Sequence, residues 1–316
     1  MVTRIAIIDM GTNTFHLLVA EISEKGYCII HREKLAVKLG MGGINRGFIT
    51  EGGIQRSMLA LQSFKNVIDQ LQAQKIYAFG TSALRNARNA DEVVHKAKEL
   101  TGIDVNIISG DQEAEFIYLG AKSAMDLSEG VSMVMDIGGG SVEFIICNND
   151  QIFWKESFEI GAQRLLEKFQ HHDPISSEEV NALREHLKNE LGSLMNAMQT
   201  YKPSVLIGSS GTFDTLSDIF CHQHNIHKSP EEVETPLTIE GFHEIFDVLK
   251  KKNREERMLI PGMIEMRVDM IVVACCLIQH IFETHFFNRI RVSTYSLKEG
   301  VLTWLGKSVP VVCTEK

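Results

Sequence analysis

Short apolar runs broken by glycine turns fill the first third of the chain, and their period alternates between strand and helix. Residues 4–10, 15–22 and 28–39 predict three consecutive strands, followed by a loop at Gly40-Met41-Gly42-Gly43. Thr50 is placed to cap a helix in which Ile54, Met58, Leu61, Phe64 and Ile68 recur at helical spacing. A fourth strand is predicted over 76–80, a helix over 89–100 and a fifth strand over 105–108. Ser109-Gly110-Asp111-Gln112-Glu113-Ala114-Glu115 then reads as a turn that opens a helix through Ile117, Leu119 and Ala121. Further on, apolar runs at 131–135 and 144–147 flank a second glycine turn. Glu159-Ile160-Gly161-Ala162 introduces a helix, and 176–198 predicts one long amphipathic helix. A strand over 205–207, an apolar helix over 270–282, a strand over 290–293 and a helix from Leu297 complete the pattern.

The second glycine turn carries the clearest chemistry. In Asp136-Ile137-Gly138-Gly139-Gly140-Ser141-Val142-Glu143, three adjacent glycines let several backbone N–H groups approach one anion. Asp136 and Glu143 flank the turn with carboxylates, which suits a divalent cation bridging to phosphate oxygens. An ordinary glycine hairpin with two incidental acids is the bland alternative. Against it stands an echo, Asp9-Met10-Gly11-Thr12-Asn13-Thr14-Phe15-His16. Asp9 and Asp136 lie 127 positions apart (136 − 9), and at that offset Gly11 falls on Gly138 and Thr14 on Ser141 without a gap. Two matching hairpins imply duplicated domains that share a phosphate site.

This pair resembles the two phosphate loops of the actin, sugar-kinase and heat-shock-chaperone ATPase superfamily. The resemblance implies an α/β fold of two duplicated ribonuclease-H-like, actin-like ATPase domains with the phosphate in a cleft between them. The expected boundaries are 1–125 for the first domain and 126–297 for the second, with a C-terminal helix over 298–316 packing back on the first.

Composition narrows the partners. The 316 residues are enough for two domains that each bury a core, and the net charge of −9 argues against nucleic acid or an anionic membrane as partner. The N-terminus reads directly as strand, with no secretory signal, and no apolar run reaches membrane length. The six cysteines include no C-x-x-C pair and are expected to be buried thiols of a cytoplasmic protein. Cys221, His222, His224 and His227 fit no common zinc pattern and are read as a polar helix end. Oligomeric state is left open, a homodimer included.

Four segments together resemble the exopolyphosphatase and guanosine pentaphosphate phosphatase (Ppx/GppA) family. They are the run from Ile8 to Leu17, the run Gly80-Thr81-Ser82-Ala83-Leu84-Arg85-Asn86-Ala87, the run Ser109 to Ala114, and the run Asp136 to Glu143. Gly208-Ser209-Ser210-Gly211-Thr212, Arg267-Val268-Asp269 and Leu297-Lys298-Glu299-Gly300 extend the resemblance over nearly the whole chain. It implies hydrolysis of a terminal phosphoanhydride in inorganic polyphosphate or guanosine pentaphosphate. Glu113 then activates the water, and Arg85 clamps a phosphate through its fork of donors. Gly11, Thr12, Asn13, Thr14, Gly138, Gly139, Gly140, Ser141, Ser210, Gly211, Thr212 and Arg267 are the expected phosphate contacts. Asp136 and Glu143, with Asp9 as a further contact, are the expected ligands of Mg²⁺ or another divalent cation.

Three departures from the family pattern stand out. Gln112 takes the place of a second acid, and Ser296 and Lys298 stand where Gly and Arg are usual. Two rival functions remain at this point. A kinase of the superfamily would need an acceptor site, for which no signature is visible. A sensor that binds alarmone or polyphosphate without turnover would not need Glu113.

Overall fold

The computed structural model describes residues 2–24, 26–229 and 231–306. The chain divides into two compact α/β units, Met1–Ser123 with Leu297–Lys316, and Ala124–Ser296.

In the first unit, β1 (Thr3–Met10), β2 (Thr14–Ser23) and β3 (Gly26–Ala36) form an antiparallel meander. Helix α1 (Glu51–Gln70) crosses over to β4 (Lys75–Gly80), which lies parallel to β1. The one-turn α2 (Ser82–Arg85) and α3 (Ala90–Thr101) precede β5 (Val105–Ile107), and α4 (Gly110–Ala124) follows it. The sheet order is β3-β2-β1-β4-β5. Helix α1 starts where Thr50 accepts a hydrogen bond from the Gly53 amide, and its Ile54, Met58, Leu61, Phe64 and Ile68 are all buried. They join Ala6, Ile8, Met10, Leu17 and Val19 in one core. Strand β3 ends three residues short of the expected Leu39. There Lys38 turns left-handed (φ 50°), and the Val37 and Lys38 amides bend back to donate to the Asn13 carbonyl.

The second unit repeats this plan. Strands β6 (Ser132–Ile137), β7 (Val142–Cys147) and β8 (Ile152–Phe158) form its meander. Helices α5 (Ala162–Phe169), α6 (Ser177–Glu190) and α7 (Gly192–Tyr201) lead to β9 (Val205–Ser209), parallel to β6. Then come α8 (Ser210–His224), β10 (Glu234–Thr235), α9 (Ile239–Leu249), α10 (Arg254–Met258), α11 (Glu265–Val268) and α12 (Ile271–Thr284). Strand β11 (Arg289–Ser293) lies parallel to β9, giving the order β10-β11-β9-β6-β7-β8. The last helix, α13 (Leu297–Trp304), belongs to the first unit, where Trp304 meets Phe116 of α4 edge-on at 5.6 Å. The expected helix over 298–316 is described only this far, and its remainder falls outside the described residues.

The duplication read from the hairpins holds at the level of pairing. Asp9 faces His16 across β1–β2, and Asp136 faces Glu143 across β6–β7. Both turns close with the same backbone bond, Gly11 N to Thr14 O at 3.1 Å and Gly138 N to Ser141 O at 3.0 Å. One expected element is corrected. The single helix over 176–198 is two helices, α6 and α7, broken at Leu191. Glycine at 192 is a poor helix interior residue, and the break lets Leu187, Leu191, Leu194 and Met198 all reach the core. Cys147, Cys221, Cys275 and Cys276 are buried free thiols, as expected, whereas Cys28 departs from that expectation and is disulfide-bonded. Among the described residues no helix is long and apolar enough to cross a membrane.

Candidate active site

Strands β1, β4 and β5 run in one direction, so the loops that leave their C-terminal ends share one edge of the first sheet. Loop 11–14 sits on that edge with Thr12, Asn13 and Thr14 buried. Its Thr12 carbonyl accepts from the Gly40 amide at 2.9 Å, and its Asn13 carbonyl accepts from Val37 and Lys38 at 2.9 and 2.8 Å. In a trans peptide the next N–H points opposite to the carbonyl. The amides of Asn13 and Thr14 are therefore turned away from the 37–40 segment.

The other two loops of this edge bring Arg85 and Glu113 together. Arg85 Nη1 donates to Glu113 Oε2 at 2.7 Å and to the Ile108 carbonyl at 3.2 Å. Arg85 ends the single turn of α2, which Asn86 ties back through its bond to the Ser82 carbonyl at 2.9 Å. Glu113 lies in the first turn of α4, where an acid is favoured by the helix dipole. It is only 7% exposed, whereas Asp111 and Glu115 of the same segment are exposed. The Ser109 hydroxyl caps this turn by accepting from the Gln112 amide at 3.2 Å.

In the second unit the glycine loop is fastened from one side. The carbonyls of Gly138, Gly139 and Gly140 accept from the amides of Ala162, Gln163 and Gly161 at 2.9, 2.8 and 3.1 Å. Arg164 Nε adds a bond to the Gly140 carbonyl at 2.8 Å. By the same trans-peptide geometry, the N–H groups of Gly139, Gly140 and Ser141 are turned away from α5. Three consecutive amides directed to one side make an anion-binding concavity. The approach is so close that a Cβ on Gly161 would collide with the backbone of Gly139 and Gly140.

One row across the second sheet is polar. Ser157, Glu143, Asp136, Ser209 and Ser293 stand in register on five neighbouring strands, so their side chains share a face. Glu143 is 1% and Asp136 5% exposed. Ser157 donates to Glu143 Oε1 at 2.7 Å, and Ser296 donates to Asp136 Oδ2 at 2.6 Å. The matching row of the first sheet is Lys34, His16, Asp9, Phe79 and Asn106. Asp9 thus has a basic side as neighbour, while Asp136 has a second acid. Two buried carboxylates side by side supply the hard oxygens that a divalent cation takes. Among the described residues no group of three or more His, Cys, Asp or Glu is gathered for a metal. Mg²⁺ does not require one, since it is bound by one or two carboxylates and completes its shell with water and phosphate. The pair therefore fits the ion, and no ligand set forms at Cys221, His222, His224 and His227, at the end of α8 and just beyond it.

Residues 210–212 open α8 after a left-handed Ser210 (φ 73°). The guanidinium of Arg267, carried by α11, rests on Gly211 so closely that a Cβ there would strike it. Arg267 is 5% exposed, its Nε has no protein hydrogen-bond partner, and Nη1 reaches only Met270 Sδ at 4.0 Å. Thr212 Oγ1 is likewise buried without a partner. Burial pushes the Arg267 pKa down, opposed by the charges of Asp214 and Asp136. A buried guanidinium Nε and a buried hydroxyl that each lack a protein partner are suited to an anion. The sequence reading missed Ser157, Ser209 and Ser293, because a serine within a strand leaves no periodic signal.

The paired α/β units and their glycine loops define a protein of the actin-like class. The sequence profile of the Ppx/GppA phosphatase family matches residues 18–308, and the chain belongs to that family. It is 43% identical to an exopolyphosphatase from Cytophaga hutchinsonii, whose crystal structure matches with a TM-score of 0.93 over 96% of this chain and 97% of that one. A putative exopolyphosphatase of Haemophilus influenzae is 28% identical over 310 residues, which cover 98% of this chain and 94% of that protein. A guanosine-5'-triphosphate,3'-diphosphate pyrophosphatase of Pseudoalteromonas translucida is 27% identical over 301 residues, 94% of this chain and 58% of that protein. The chain is a hydrolase.

Proposed function

We propose that this chain is an exopolyphosphatase that releases the terminal phosphate of inorganic polyphosphate. The observation that carries the reading is the buried Glu113, held by Arg85 on the sheet edge that also bears loop 11–14. In this reading a water attacks the terminal phosphorus, and Glu113 takes its proton. The new P–O bond forms as the bridging P–O bond breaks, and the shortened chain leaves with the electron pair. Arg85 binds a phosphoryl oxygen as well as Glu113, which its five donors allow. The loop amides of Asn13, Thr14, Gly139, Gly140 and Ser141 hold phosphoryl oxygens, with Gly11, Thr12 and Gly138 shaping the turns. Ser210, Gly211, Thr212 and Arg267 form a further phosphate contact, supported by the unpartnered Nε of Arg267 and Oγ1 of Thr212.

Asp136 and Glu143 would hold Mg²⁺ or another divalent cation, which when bound neutralises phosphate charge. Asp9 is the further acid of this proposal, and its neighbours in register are His16 and Phe79 rather than a second acid. We place the enzyme in the cytoplasm, supported by the four buried free thiols.

A second reading is removal of the 5'-terminal phosphate of guanosine pentaphosphate. It is supported by the similarity to the Pseudoalteromonas protein. Phosphate release from long polyphosphate and from guanosine pentaphosphate, assayed side by side with Mg²⁺, tests the order of the two. A higher kcat/KM on polyphosphate is expected, and a higher value on the nucleotide would reverse the assignment.

A further inference from the structure

We infer that Ser296 is a positioning residue that orients the Asp136 carboxylate for the divalent cation. The inference rests on the reading that Asp136 and Glu143 hold that ion. Three hydrogen bonds fix the backbone beside Ser296. Ser293 Oγ and Ser209 Oγ both donate to the Tyr295 carbonyl, at 2.7 and 3.4 Å, and the Tyr295 amide donates to Ser293 Oγ at 3.2 Å. Both serines are fully buried and belong to the same row of the sheet as Asp136. Two members of the row thus anchor the turn after β11, and the turn lays the Ser296 hydroxyl on the third.

The resulting bond to Asp136 Oδ2, 2.6 Å long, has the length of a charge-assisted O–H···O⁻ contact. A hydroxyl on one carboxylate oxygen fixes the plane in which the group would meet a cation. This matters here because Glu143 stands alongside, and neighbouring buried carboxylates repel one another. Ser157 orients Glu143 in the same manner from the opposite side of the row. Each carboxylate therefore has its own serine, and partners of this kind are worth about 10–100-fold in metal affinity.

The test is Mn²⁺ binding to the full chain, followed by electron paramagnetic resonance without substrate. Ser296→Ala is expected to weaken Mn²⁺ binding about tenfold, and Ser296→Thr, which keeps the hydroxyl, to stay near wild type. The Mn²⁺ concentration for half-maximal activity should rise by the same factor in Ser296→Ala, with kcat at saturating metal little changed. Should the alanine variant fail to fold, the nearly isosteric Ser296→Cys, a weak donor, carries the same expectation. Asp136→Asn serves as the control and should abolish binding. Wild-type affinity in Ser296→Ala alongside loss in Asp136→Asn overturns the role of Ser296 and spares the metal reading. Wild-type affinity in Asp136→Asn overturns the metal reading itself.

Discussion

Arg85 and Glu113 come from different loops of one sheet edge and meet through a 2.7 Å hydrogen bond, with side chains only 17% and 10% exposed. In the proposed mechanism one residue binds substrate charge and the other handles the proton of water, so their contact ties the position of the base to the occupied phosphate site.

Glu113→Gln keeps size and helix-start geometry but removes the base. Steady-state assays should show kcat falling about 10²–10⁴-fold with little change in KM. Glu115 belongs to the same helix but is exposed, and Glu115→Gln should stay near wild type. The reverse result would place the attacking water on the other face of α4.

Arg85→Lys retains the charge but not the fork, and an ammonium cannot bridge Glu113 and a phosphoryl oxygen in the same geometry. Loss of one charge-assisted hydrogen bond, about 1.5–3 kcal/mol, should lower kcat/KM roughly 10–100-fold. Unchanged kinetics would return Arg85 to a purely structural role.

The hairpins and the helix cap at Thr50 were legible because each leaves a local signal, whereas Glu113 was singled out through the resemblance of its motif. Adjacent glycines and a capping residue ahead of a periodic apolar run can both be read within a few positions. The break at Leu191 left no such mark, since leucine and a single glycine both occur inside helices. Strand β8 escaped notice because every residue from Ile152 to Ser157 is half-buried, which erases the alternation that marks a one-sided strand. The serine row and the seat of Arg267 on Gly211 are products of register and long-range packing, and local pattern holds no information on either.

The fastening of the second glycine loop gives a packing test. Gly161→Ala would push a methyl group into the backbone of Gly139 and Gly140, and overpacking of this kind costs about 1–3 kcal/mol. Thermal denaturation should show the loss. KM should rise as well, because the displaced backbone carries the Gly139, Gly140 and Ser141 amides.

Stability in acid should depend on Glu179. Burial raises its pKa, but the Ser176 amide, the His172 ring and the His171 and His172 amides outweigh this and bring it down to about 2. A carboxyl whose folded pKa lies below its unfolded value of 4.5 contributes stability above that value and loses it as pH falls through about 2. Glu179→Gln should therefore lower the melting temperature at pH 7, and the difference from wild type should vanish near pH 2. A constant difference across that range would mean that the charge contributes nothing.

Arg267 separates a binding role from a structural one. A buried guanidinium with Nε unpartnered is a cost to the fold, since its desolvation is offset only in part by hydrogen bonds. Replacing it by an apolar residue of similar length removes that desolvation cost and, against it, the attraction of the cation to Asp214 and Asp136. With the two effects opposed, Arg267→Met should melt close to the wild-type temperature in the absence of ligand. A ligand that binds only the folded state stabilises it in proportion to RT ln(1 + [L]/Kd). Tripolyphosphate with Mg²⁺ should raise the wild-type melting temperature and raise that of Arg267→Met far less, because the cation that compensates the phosphate is gone. If the variant instead melts well below wild type without ligand and keeps the full shift with it, the guanidinium is part of the packing around Gly211. The phosphate contact assigned to 210–212 would then lose its main support.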